Sequence, residues 1–228
     1  MNERFKTGGL RAAAFLTMLC LLLTGCGNRL VITRGFADDE LFRIGAGSCR
    51  EGEYMVYLLD LQKHCERMFG STIWAEDTDG TLKESVRSKA LAEVSRVKTL
   101  GLLAVEDNIM LTNEEQQRCA RAASDYYAAL SEDEKTAVGL TEAQLQKMME
   151  EYALADKVYR SLGSAYAERL DAYMQGLDSD MNLPLWDQLT VRKVYGDAEA
   201  MGFKEYYTAY FGQDVQETES DTEGVTGQ

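Results

Sequence analysis

Four helix-start signatures fall between Thr81 and Gln144 with no proline among them: Thr81-x-x-Glu84, Thr112-x-x-Glu115, Ser131-x-x-Glu134 and Thr141-x-x-Gln144. In each, a hydroxyl can accept from a backbone N–H three residues on, while the acid or amide reaches back to the first N–H. Proline removes a backbone donor and breaks helices from within, and the only one in the chain, Pro184, lies downstream of all four. The predicted fold class is therefore all-α, an elongated bundle of long crossing helices.

The periodicity fills in that frame. Ser48 reads as the N-cap of a helix over about Arg50–Phe69, with Tyr54, Leu58, Leu61 and Cys65 on one face and Gly70 at its end. The helix opened by Thr81 is expected to reach about Val105, with Leu82, Val86, Ala90, Val94 and Val97 inward. The one opened by Thr141 is expected to run from Glu142 to about Leu177, roughly 54 Å in length. Before these helices, residues 26–47 form a tether in which Leu30-Val31-Ile32-Thr33 can make a short strand and Gly45-Ala46-Gly47 a turn. Residues 48–177 make the helical body. After it, 178–212 hold a break around Pro184 and an aromatic helix at Phe203–Phe211 that packs back on the body. The stretches Leu185-Trp186 and Val191–Tyr195 fit either extended or helical structure. Residues 213–228 are polar and acidic without apolar spacing, which predicts a disordered tail.

The N-terminus fixes an address. Arg4, Lys6 and Arg11 precede an apolar run from Ala12 to Leu23, and Leu23-Thr24-Gly25-Cys26 follows. A dozen apolar residues fall short of the roughly 20 that span a bilayer. A leucine three before and a glycine one before a cysteine looks like a bacterial lipobox. On that reading residues 1–25 are a lipoprotein signal peptide, Cys26 is the lipidation site, and the protein sits lipid-anchored on the extracytoplasmic face of a bacterial membrane.

Removing residues 1–25 takes away three bases and one acid and leaves 21 basic and 37 acidic residues, a net charge near −16. Such a surface repels nucleic acid and anionic headgroups, so no nucleic-acid partner is expected and membrane attachment falls to the lipid. Of the remaining cysteines, Cys49, Cys65 and Cys119, the first two read as sharing one helix about 24 Å apart, beyond disulfide reach. Only a bridge from Cys119 to one of them is open, and buried free thiols are the simpler state.

Most catalytic chemistry is excluded by inventory. His64 is the sole histidine in the chain, and neither a P-loop nor a G-x-G-x-x-G pattern is present. Asp77-Thr78-Asp79-Gly80 faintly resembles the start of a calcium loop but lacks the later ligands. No cofactor, metal site or catalytic residue is predicted. What stands out is Tyr152, Tyr159, Tyr166 and Tyr173, recurring every seven residues and so holding to one slowly drifting stripe. It reads either as a packing seam, against the returning C-terminal helix or a partner chain in a homodimer, or as a cradle for extended polypeptide, and the two can share its length. Trp186, Phe203 and Phe211 join these tyrosines as candidate client-binding residues.

One further pattern carries a family. Phe69-Gly70-Ser71-Thr72-Ile73-Trp74 is followed by Lys89-Ala90-Leu91, Val97-Lys98, Leu102-Leu103-Ala104, Ile109-x-Leu111-Thr112-x-Glu114-Glu115 and Glu151-Tyr152-Ala153-Leu154-Ala155-x-Lys157-Val158-Tyr159. In order and spacing these resemble the N-terminal chaperone domain of the SurA/PrsA group of exported peptidyl-prolyl isomerases, over about residues 40–162. The resemblance implies an extracytoplasmic chaperone-like holdase whose partners are unfolded or newly exported polypeptides. The family's parvulin domain uses a pair of histidines; here only 66 residues follow Leu162 and none is a histidine. Prolyl isomerase activity and a client-free helical scaffold are the alternatives.

Overall fold

A computed structural model describes residues 35–191 and 200–212. Most of these are helical, as the capping signatures require, but the described part opens with strands. Strand β1 (Glu40–Ile44) turns at Gly45-Ala46 into β2 (Gly47–Arg50), and β3 (Ser179–Met181) returns to the far side of β1, giving an antiparallel sheet in the order β2-β1-β3. Gly45 has φ 53°, which the tight turn requires and glycine tolerates. Asn182 fastens the C-terminal segment at this point. Its backbone N–H donates to Leu41 O (2.9 Å), its Nδ2 to Glu40 O (2.9 Å), and its Oδ1 accepts from Leu185 N (3.3 Å). Ser48 and Cys49 thus lie in a strand and not on the first helix. The Leu30–Thr33 segment falls outside the described residues.

Helix α1 (Glu51–Phe69) follows directly, with the Glu53 carboxylate accepting from the Arg50 backbone N–H at 2.7 Å. It is buried on nearly every side, polar positions included: Tyr54, Tyr57, Leu58 and Leu61, but also Asp60, Gln62, Lys63 and Glu66. Burial of such groups demands partners, and most have them, although Glu66 Oε2 has none among the described residues. Glu66 Oε1 accepts from Gln62 Nε2 (2.8 Å) and from the indole N–H of Trp74 (2.6 Å), which sits on the single-turn helix α2 (Ile73–Glu76).

Helix α3 (Thr81–Glu106) runs back along α1. Its expected capping box does not form. Gly80 stands at the N-cap with φ 76°, and the free N–H groups of Leu82 and Lys83 are taken by the Asp77 carboxylate at 3.1 and 2.9 Å. Asp79 accepts from Thr81 N at 3.0 Å. The two aspartates of the calcium-like loop are therefore helix caps.

The other three boxes form as read. They open α4 (Asn113–Ala129), α5 (Glu132–Val138) and α6 (Glu142–Leu162). Lys63 of α1 meets Glu134 of α5 at 2.7 Å with both side chains 2% exposed, a fully buried ion pair. The end of α5 presses so closely on α1 that a Cβ on Gly52 would lie 2.4 Å from Val138 O.

The expected helix of 142–177 is not continuous. Gly163 ends α6 with φ 50°, ψ −124°, a conformation closed to other residues; a 3-10 turn (Gly163–Ala165) follows, and α7 (Tyr166–Met174) leaves in a new direction. The longest described helix is α3, about 39 Å at 1.5 Å per residue. Beyond β3, α8 (Leu183–Trp186) carries Pro184 in its first turn, and α9 (Phe203–Phe211) matches the expected span. Val191 ends one described stretch, so most of Val191–Tyr195 lies outside it, as do the signal segment, Cys26 and the acidic tail.

Candidate functional site

Helix α9 docks into a slot between α1, α4 and α6, and charge guides it there. Asp60 Oδ1 accepts from the Lys204 backbone N–H at the start of α9 (3.2 Å). The Lys204 ammonium lies 3.3 Å from Asp60 Oδ2 and 2.9 Å from Glu93 on α3. Burial pushes Asp60 up, and Lys204 pulls against it. A Cβ on Gly202 would fall 2.2 Å from Asp60 Oδ1, so only glycine admits this approach. Arg67 holds Glu205 at 2.8 Å. Together with His64, Lys89 and Arg96 these charges line a cleft of about 460 Å³ beside α9.

Once seated, Phe203 is the hub of an aromatic cluster. Its ring meets those of Tyr57, Tyr126 and Tyr152 at 5.7, 5.7 and 5.9 Å, all edge-on. Tyr152 also meets Tyr207 at 4.8 Å, and Tyr207 stacks on Phe211 at 4.5 Å. The Tyr207 hydroxyl donates to Asp156 at 2.7 Å; burial first, then that hydrogen bond, raises its pKa. Arg118 caps the far side of Phe211 at 4.6 Å. Trp186 is covered by Tyr54 (5.6 Å) and by the Arg87 guanidinium (4.3 Å), whose Nη2 donates to Trp186 O at 2.7 Å. Trp186, Phe203 and Phe211 are 2%, 0% and 5% exposed. In the folded chain these three offer a client no surface, because docking of the C-terminal segment consumes them.

The tyrosine stripe divides at Gly163. Tyr152 belongs to the α9 seam. Tyr159, two turns later, is 48% exposed, and its one aromatic contact among the described residues is edge-on with Tyr166 across the break, at 4.7 Å. Tyr166 and Tyr173 are half-buried on α7, a helix with no buried residue at all. Arg169 ties α7 to the end of α3, 2.7 Å from Glu106 and 3.1 Å from Asp107. Val105 and Met110, 75% and 77% exposed, lie at this same end of the bundle, where α3 finishes, α4 begins and α6 finishes. The sequence pointed to Tyr159 and Tyr166 by spacing; Val105 and Met110 were not singled out, since an isolated apolar residue at a helix end carries no signal of exposure.

A second recess, about 510 Å³, opens between β2, α3 and the first half of α6. Lys98 lines it, 2.6 Å from Glu53 and 2.6 Å from Glu151. Burial lowers the Lys98 pKa, but the two carboxylates outweigh it and hold the ammonium above its ordinary value. Buried Cys49 lies close by, its thiol pushed well up by desolvation, and burial likewise takes Cys119 to about 12. Cys49, Cys65 and Cys119 are all free, and none has the low pKa of a reactive nucleophile.

Among the described residues no group of acids, cysteines and histidine could hold a metal ion, and no helix is long and apolar enough to cross a membrane. No family model, curated protein or solved structure matches this chain.

Proposed function

We propose that this protein is a lipid-anchored, extracytoplasmic holdase that binds unfolded or newly exported polypeptides without covalent chemistry. The observation that carries the reading is the open elbow between α6 and α7. There an apolar row, Tyr159, Tyr166, Leu170 and Tyr173, continues past the docked α9 and remains exposed or half-buried. Exposed tyrosines suit this work, since each ring gives an apolar face and a polar tip and so accepts many sequences. Val105 and Met110 extend the apolar character, and methionine adapts to irregular partners. The lipobox-like Leu23-Thr24-Gly25-Cys26 supports the anchor, and the resemblance to SurA/PrsA chaperone domains supports the client class.

The mechanism is mass action. A surface that binds exposed apolar segments lowers the free concentration of the species that aggregates. Prolyl isomerase activity is not part of the proposal, because His64 is exposed on α1 with no second histidine in the chain to join it. The test is suppression of aggregation of a reduced, unfolding model protein by the chain lacking residues 1–26. The wild type should suppress at a few-fold excess, and Tyr159→Ser/Tyr166→Ser should suppress less at unchanged helicity. No suppression by the wild type would end the holdase reading. A concentration-dependent dimer abolished by the same substitutions would instead make the elbow a subunit seam.

A further inference from the structure

The recess beside β2 has a wall of a special kind. Among the described residues the sheet order leaves β2 with one unpaired edge, and Ala46, Gly47, Ser48 and Arg50 line the recess. Which backbone groups face outward follows from the hydrogen-bond phase. Gly45 N–H donates to Asp178 O, and Leu41 O accepts from Asn182 N, so the odd-numbered residues of β1 turn toward β3. Residues 42 and 44 therefore turn toward β2, where they pair with Cys49 and Gly47. Bonded and non-bonded pairs alternate in an antiparallel ladder. Ser48, between the two bonded positions, must then aim both its N–H and its C=O away from the sheet, and neither has a partner among the described residues. An open edge of this kind is a template for another strand, and natural proteins commonly guard it with lysine, proline or a covering element. Here Ser48 is small and exposed, and the space in front of it is floored by Gly101, Leu102 and Leu154. A Cβ built on Gly101 meets nothing within 4 Å, so the recess is open at its base.

We propose that this recess takes an extended polypeptide segment, which adds to the free edge of β2 through the Ser48 backbone while its side chains lie against Leu102 and Leu154. The proposal rests on the holdase reading and names a client site for it. Backbone pairing is independent of side-chain sequence, which is what a holder of varied unfolded chains requires, and alternate side chains would read the recess. The recess-lining residues Lys147, Glu151 and Leu154 occupy a face of α6 roughly 120° from the tyrosine stripe, so the two surfaces can be tested separately.

The experiment uses the full chain in mild detergent and a fluorescently labelled, reduced and carboxymethylated model polypeptide, with affinity read by anisotropy. Ser48→Pro deletes the outward N–H and leaves the β1–β2 ladder intact, whereas Ser48→Ala keeps the N–H; the quantity read is the ratio of their affinities. Loss of this edge pairing should make Ser48→Pro roughly tenfold weaker than Ser48→Ala. Gly101→Gln, which fills the base of the recess without altering charge, should also weaken binding, and it decides the matter if Ser48→Pro lowers the unfolding temperature. Equal affinity in all forms, with a wild type that binds, would overturn the edge site alone. A wild type that binds no polypeptide would overturn the holdase reading itself. A wild-type dimer that Ser48→Pro converts to monomer, with polypeptide binding unchanged, would show that the edge pairs two copies and would overturn the proposal.

Discussion

Tyr152 and Tyr159 sit one heptad apart on the same helix face, yet one is locked among rings and the other faces water. The difference lies in what arrives opposite them. Tyr152 meets α9, whose start is steered by Asp60, Glu93 and Arg67 and whose Phe203 fills the space between three tyrosine rings. Past Tyr159 no described helix docks in that way: Gly163 ends α6, and α7 brings the edge-on ring of Tyr166. Seven-residue spacing fixes which residues share a face, but it carries no information on whether that face is covered.

The comparison can be broken by substitution. Phe203→Ala should cost about 3–5 kcal/mol, since it empties the hub of the packed half; Tyr159→Ala should cost under about 1 kcal/mol, as exposed positions do. Urea denaturation of both variants reads the contrast, and equal costs would mean that the elbow is as tightly built as the seam. Lys63→Met should also be severe, about 3–5 kcal/mol, by leaving Glu134 charged and buried alone. The double variant Lys63→Met/Glu134→Leu should recover most of that loss in the same assay.

Gly163→Ala is expected to cost about 1–3 kcal/mol, because φ 50°, ψ −124° is strained for any residue with a Cβ. It sharpens the comparison by acting on the break itself, and lower helicity around α7 by hydrogen exchange would accompany the loss. The smallest effect concerns pH. Burial raises Glu115, but the Lys157 ammonium and the Thr112 N–H at the start of α4 outweigh it and hold the carboxyl below its ordinary range. A depressed acid contributes stability that is present above the unfolded carboxylate range and is lost as pH falls through the folded value. Glu115→Gln should therefore flatten the acid limb of the stability–pH curve relative to wild type, with little change in its alkaline limb.

Much of the helical frame was legible because capping is local. Thr112, Ser131 and Thr141 each needed only a partner three residues away, and the Phe203–Phe211 span was readable from its own composition. Thr81 failed for a reason just outside that window: Gly80 turns left-handed, and Asp77, from upstream, reaches the free N–H groups first. The sheet was hidden because β1 is five residues long and β3 three, and their pairing joins segments more than 130 residues apart. The break at Gly163 was ambiguous, since a glycine within a periodic run can be tolerated or can end the helix. Of the candidate site, the tyrosines were found by spacing. Trp186, Phe203 and Phe211 were read as client contacts but are core, Trp186 against Tyr54 and Arg87 and the two phenylalanines in the α9 cluster, since an aromatic segment that packs back is buried by that same act. The β2 edge had no sequence signal, because an outward-facing backbone group depends on register alone.

The most direct test of the account is a photo-crosslinking map on the folded chain. A photoreactive residue would be placed in turn at Tyr159, at Ser48 and at Glu132, whose side chain is 90% exposed on α5 and far in role from either surface. Each form would then be irradiated with a reduced, carboxymethylated polypeptide. The account predicts adducts from positions 159 and 48 and none above background from 132. Equal yields from all three, or adducts from none, would contradict it.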